Sequence, residues 1–230
     1  SRGLGDVYKR QDSDHGIEVA LFGRMVADSK DLNVDSAVQV AHALSTHAVE
    51  IESDYFTAVD DYKLDEDDAG AGMIGTVEFT SETLYRFATV AVSTLKDNLG
   101  DVDLTAQAAS AFVRGFIMSM PTGKQNTFAN NTIPDAVVVQ VRKGRSASFI
   151  GAFEDPVTSD DGGFVAASCQ AVAAYAHDCE EAFLGAPEAS FVTRVGSRTE
   201  AIGTMGTQMP IDDLVSSVRD QVTSLLQDES

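Results

Sequence analysis

Long apolar runs are missing from this sequence. No window approaches ~18 consecutive apolar residues, the span a helix needs to cross a bilayer, so a transmembrane helix is excluded. Cysteine is scarce: Cys169 and Cys179 are separated by nine residues, a spacing that matches no zinc or redox motif. A secreted scaffold built on disulfides is thereby excluded, and a reducing, cytoplasmic compartment is expected. Basic residues are few, with 16 Lys and Arg against 36 Asp and Glu and a formal net charge of -20. That balance opposes nucleic-acid binding, which draws mainly on phosphate electrostatics. What is present is globular in character. The 230 residues are 43% hydrophobic and 23% charged, enough for one domain with its own core.

Residues 1–11, SRGLGDVYKRQ, stand apart from the rest. DVYKRQ is the in-frame translation of GATGTGTATAAGAGACAG, the end of a transposase-type sequencing-library adapter. No apolar stretch of about seven residues makes the segment a signal peptide. The natural segment is expected to run over 12–230 and to begin inside a longer gene. Setting aside Arg2, Lys9, Arg10 and Asp6 takes the charge from -20 to -22.

Along the chain, residues 16–22 (GIEVALF) are short and β-rich and predict a strand. Asp35 stands as an N-cap before Ala37, Val40, Ala41 and Leu44 at helical spacing, which predicts a helix over 36–48. The texture then changes. Residues 49–59 are β-prone with the pair Tyr55-Phe56, 60–68 are acidic, and 70–75 (GAGMIG) are glycine-rich. The segment 49–78 reads as a protruding hairpin, longer than an ordinary connection. Residues 84–92 carry strand residues, and 104–120 have a helical apolar stripe that Pro121 ends. AVVVQV at 136–141 is the clearest strand, with 147–153 as its expected antiparallel partner after a turn at 142–145. Helices are predicted near 164–184 and 211–227, with a short strand near 190–195. The order is that of an α+β fold, compatible with a ferredoxin-like sheet carrying an insertion.

Motifs of catalysis fail on their context. Gly70-x-Gly72-x-x-Gly75 has the GxGxxG spacing, but Asp65, Glu66, Asp67 and Asp68 precede it and would repel a pyrophosphate. Gly123-Lys124 resembles the end of a phosphate-binding loop, yet Met118 and Gln125 occupy the positions of its first glycine and its hydroxyl. His42 and His47 do not share a helix face, and His15 and His177 are isolated, so a metal centre is not assigned. Asp60, Asp61 and the acids at 65–68 lack the spacing of a calcium loop. There is no nucleophile elbow and no cysteine with a partner base. The chain is read as non-enzymatic, without cofactor or metal. Two features remain: Thr122, Lys124, Gln125, Asn126 and Thr127 cluster polar donors around one cation, as phosphate-binding loops do. Arg24-Met25 and Tyr55-Phe56-Thr57 place long apolar side chains where they either fill the core or wedge between bases.

The phrases GIEVALFGRMVAD, VDSAVQVAHALSTHAVEIESDYFTAVDD, GTVEFTSETLYRFATVAV and MPTGKQNTFAN together resemble the CasC backbone subunit of the type I-E CRISPR Cascade complex. The likeness runs from about residue 16 to the C-terminus and is strongest over 16–133. It implies an RRM-like palm with an inserted β-hairpin thumb at about 49–78. It also implies an RNA-binding subunit that polymerises along a CRISPR guide RNA and presents it to the target DNA strand in antiviral defence. The partners implied are the guide, further copies of the chain in a helical filament and the other Cascade subunits of the ribonucleoprotein, with no membrane. By position, Met25 resembles an intercalating methionine with Arg24 near the guide backbone. Tyr55 stands where some relatives have tryptophan, and Phe56 and Thr57 match directly. Ile74 takes the place of an apolar thumb residue. Lys124, Gln125 and the adjoining Asn126 fall on the GKQ loop, read as a backbone contact. The family's N-terminal palm strand and much of its basic surface would precede Asp12. Two rivals stay open: a metal-dependent ribonuclease subunit of a type III-like complex using Asp54 or Asp60, and a small-molecule-binding α+β domain.

Overall fold

The structure is a computed structural model that describes residues 16–28, 30–58, 73–159 and 163–228. The adapter-like segment, His15, the acids at 60–68, Gly70 and Gly72 lie outside the described residues. Gly16 and Gly23 bracket the first element, a helix α1 (Ile17–Phe22). A strand was the sequence expectation here, and the structure corrects it. Six residues, five of them apolar, cannot separate the two periods. Helical winding lets the neighbours Ala20 and Leu21 both reach the core, which strand alternation would forbid.

The chain continues through β1 (Val38–Val40), β2 (Leu44–Ser45), β3 (Glu52–Ala58), β4 (Met73–Phe79), β5 (Leu84–Tyr85) and β6 (Ala88–Val90). The helix predicted over 36–48 is therefore a second correction. Val40 and Leu44, which its apolar stripe would bury, are exposed. The backbone instead pairs at long range, Val38 with Val90 and Leu44 with Tyr85, both antiparallel. Tertiary pairing overrides the local spacing. Asp35 caps nothing; Ser36 Oγ donates to Leu21 O and Val38 O.

Next come α2 (Val92–Leu99), α3 (Val102–Met118), the single turn α4 (Gln125–Phe128) and β7 (Ala136–Val141). Asp101 caps α3 by accepting from Leu104 N at 2.7 Å, and the helix stops three residues before Pro121. The expected strand partner of β7 over 147–153 is a third correction. Phe149 and Phe153 are four residues apart and both buried, a helical spacing, and Ile150–Phe153 is a 3-10 turn. β7 pairs instead with β8 (Ala189–Arg194), reached through α5 (Phe164–Cys179) and a π-helical turn at Glu180–Leu184. β9 (Thr207–Gln208) lies parallel to β8, and α6 (Ile211–Asp228) closes the described chain.

The apolar run of β7 is explained by its position, since both sheet faces are covered. Val137, Val139 and Phe191 pack on the Leu214, Val218, Val222 and Leu226 stripe of α6, together with Ala106 and Ile117 of α3. Ala136 and Val138 point the other way, with Val192, toward Cys169 and Ile202. Burial, with Asp135 nearby, pushes the Cys169 thiol up to about 11, the environment of a core cysteine. A third cluster joins α1, β1, α2 and α3 through Leu21, Val38, Leu95 and Ala108. Among the described residues no helix is long and apolar enough to cross a membrane. The result is an α+β fold of small, mostly antiparallel sheets on a helical core.

Candidate nucleic-acid interface

Met25 is 91% exposed, the opposite of a core methionine. Its loop is held rigidly on both sides. Arg24 and Val34 exchange backbone hydrogen bonds of 2.9 Å each, and Val26 N donates to Asn33 Oδ1 at 2.6 Å. Gly23 makes this possible. Its φ of +76° is left-handed, and a Cβ there would sit 2.7 Å from Val34 O and 2.9 Å from Ser36 N. Arg24 spends its guanidinium on the same loop: Nε donates to Leu32 O at 2.8 Å, while Nη2 is buried without a hydrogen-bond partner. Arg24 thus anchors the loop that Met25 tips.

The second group lies on the β3–β4 hairpin. Its register sets Asp54 opposite Val77, Tyr55 opposite Thr76, Phe56 opposite Gly75 and Thr57 opposite Ile74. Every residue from 51 to 57 is exposed. Tyr55 is 74% exposed and Phe56 44%, so neither supplies a core. The Phe56 ring lies across Gly75, where a Cβ would come within 2.6 Å of Cζ. That close approach needs glycine and fixes the ring's place. Tyr55 and Thr57 project from the other hairpin face, by strand alternation. Ile74 joins through its backbone; its side chain is outside the described set.

The third group is the turn 122–131. Lys124 adopts a left-handed φ of 63° and Ala129 one of 52°, the two non-glycine residues with positive φ among the described residues. Phe128 N closes the turn onto Lys124 O at 2.8 Å. Lys124 Nζ stands 5.7 Å over the Phe128 ring, and that ring meets Phe79 at the base of β4 with centroids 5.0 Å apart. Lys124 and Asn126 are exposed, and Gln125 is half-buried. The structure therefore joins the Lys124 turn to the hairpin root. Arg24 and Met25 stand on a separate loop.

Catalytic alternatives find little here. Both ring nitrogens of His47 are engaged, Nδ1 with Ala48 O at 2.7 Å and Nε2 with Thr83 N at 3.1 Å. Asp54 Oδ1 accepts from Tyr55 N at 2.9 Å on the exposed hairpin, and Asp60 is outside the described residues. Among the described residues no cluster of His, Cys, Asp and Glu is placed to hold a metal. A groove of about 440 Å³ between α3 and α6 is open and lined by Asp103, Arg219, Asp220 and Thr223. The Arg219 hydrogen bond holds the Asp103 carboxyl below its usual range, which is the chemistry of a surface ion pair.

A family model described as CT1975-like protein matches residues 3–217. The chain belongs to the CT1975-like family. Its match begins inside the adapter-like segment. The CT1975-like chain is also similar to a chain of a "CRISPR RNA-guided surveillance complex, pre-nicking", at 35% identity and a TM-score of 0.78. That match covers 90% of this chain and 56% of the other, so the chain spans little more than half the length of that relative. A chain of a second "CRISPR RNA-guided surveillance complex" matches at 34% identity and a TM-score of 0.75, over 93% of this chain and 81% of that one. No curated protein matches it. The α+β architecture is compatible with an RRM-like fold.

Two features of the CT1975-like chain escape a reading by motif. Phe79 and Phe128 carry no motif, because a single aromatic residue has no periodicity of its own. The second is that charge is unevenly distributed along the chain. Residues 104–153 contain Arg114, Lys124, Arg142, Lys143 and Arg145 against a single acid, Asp135, in a chain of net -20. That excess is visible in charge counted by segment and vanishes in the whole-chain sum.

Proposed function

We propose that this chain is a guide-RNA-binding backbone subunit of a type I-E Cascade complex, related to CasC. It acts without catalysis, polymerising along the CRISPR RNA and presenting it to the target DNA strand. The observation that carries the reading is the β3–β4 hairpin, seven residues of strand with Tyr55 and Phe56 outward and none of residues 51–57 buried. A hairpin with no core to build has its use outside the domain. The relatives' membership in CRISPR RNA-guided surveillance complexes supports guide RNA and sister subunits as its partners. Base pairing then reads sequence, and the protein reads backbone and shape.

Lys124 tests the backbone contact. Lys124→Ala is expected to weaken RNA binding evenly across sequences. The slope of log affinity against log salt should fall by about one unit or less, because one fewer counterion is released. A slope unchanged within error removes Lys124 from the contact set.

A further inference from the structure

The turn 122–131 and the hairpin root meet through rings that no core requires. Phe79 and Phe128 are each 42% exposed, with centroids 5.0 Å apart at a 53° tilt. Lys124 Nζ lies 5.7 Å from the Phe128 centroid. Close by in sequence, Arg86 lies 4.5 Å over the Phe116 ring, and its Nη1 donates to Met120 Sδ, the residue that leads into the turn. Among the described residues neither Lys124 nor Arg86 has a carboxylate partner. Residues 104–134 contain no Asp or Glu at all. Phe128 and Lys124 lie in that acid-free stretch, while Phe79 stands on β4 beside Glu78 and opposite Glu52. The exposed Phe128 ring with Lys124 beside it complements a ligand that is at once flat and anionic. A nucleotide has both properties.

We infer that Phe128, propped by the tilted Phe79 ring, is a stacking platform for one nucleotide of a single-stranded RNA at the hairpin root, with Lys124 on the adjoining phosphate. This rests on the RNA-binding reading and adds to it a base contact distinct from those at Met25, Tyr55 and Phe56. Stacking tolerates any base, as a backbone subunit on arbitrary guides requires. Phe128 moves with Lys124, because the closed turn holds both.

The test uses the full chain and a fluorescein-labelled single-stranded RNA containing 5-iodouridine. Photocrosslinking followed by peptide mapping is expected to place adducts on Phe128 or Phe79. Phe128→Leu should weaken binding about tenfold at an unchanged melting temperature, whereas Phe128→Trp, which keeps a π-face, should bind like the parent. Leucine would serve equally well as an apolar cover, so the contrast isolates stacking. Phe79→Leu reads the same contact independently. Parent-like binding by Phe128→Leu, with adducts confined to Tyr55 and Phe56, overturns the platform and leaves the RNA-binding reading standing. A loss of binding that tracks a fall in melting temperature assigns Phe128 to structure and also overturns the platform. Absence of RNA binding by the parent overturns the functional reading and the platform together.

Discussion

Met25→Ala and Phe56→Ala are each expected to leave the fold intact and to impair capture of the target strand. Truncating a core methionine or phenylalanine costs about 2–5 kcal/mol of stability. These two side chains are 91% and 44% exposed, so the stability change should be far smaller: within ~0.5 kcal/mol for Met25, a little more for Phe56, whose ring covers Gly75. The loss belongs to binding. A wedged or stacked side chain is worth ~1–3 kcal/mol per base, and in the proposed filament identical subunits along one guide would multiply it. Thermal unfolding and target affinity, measured on the same guide-loaded variants, separate the two roles. Variants that unfold, with no folded and binding-defective population, would assign both residues to structure and defeat the wedging role.

Gly23→Ala should act on the same function from the inside. The substitution places a Cβ against two backbone atoms, Val34 O at 2.7 Å and Ser36 N at 2.9 Å, and at a φ that alanine disfavours. Neither neighbour can swing away as a flexible side chain would. Strain of this kind costs about 1–3 kcal/mol, and its relief would separate Arg24 from Val34. Met25 would then lose the paired backbone that aims it. The expected result is a lower denaturation midpoint together with weaker target capture. A variant with the parent's midpoint and the parent's affinity would show that the 24–34 bridge does not position Met25.

The elements that could be read from the chain are those whose signals are local. Pro121 ends α3, the stripe of Leu214, Val218, Val222 and Leu226 defines α6, and six residues with five apolar side chains make β7 a strand covered on both faces. The misreadings fall where the deciding partner is remote. Val38 becomes a strand residue because Val90 is there to pair with it, and β7 takes its partner from 189–194, beyond a whole helix. Short apolar runs such as 17–22 fit either period until the core selects one. The interface shows the same division. Tyr55 and Phe56 announced themselves as an aromatic pair in a β-prone segment, and Lys124 as a cation among donors. The Phe79–Phe128 contact joins residues 49 positions apart, and Arg24's commitment to Leu32 O depends on how a loop closes. The net charge of -20 is likewise an average: phosphate responds to the local field, and residues 104–153 hold five basic residues against one acid.

One measurement tests the assignment most directly. The chain, co-expressed with the other subunits of a Cascade complex and a CRISPR array, is purified and its bound nucleic acid is sequenced. The account predicts RNA of one defined length, carrying spacer sequence, present in several-fold fewer copies than the protein and released as salt is raised. A homogeneous, nucleic-acid-free protein that ignores guide RNA at low salt would contradict it.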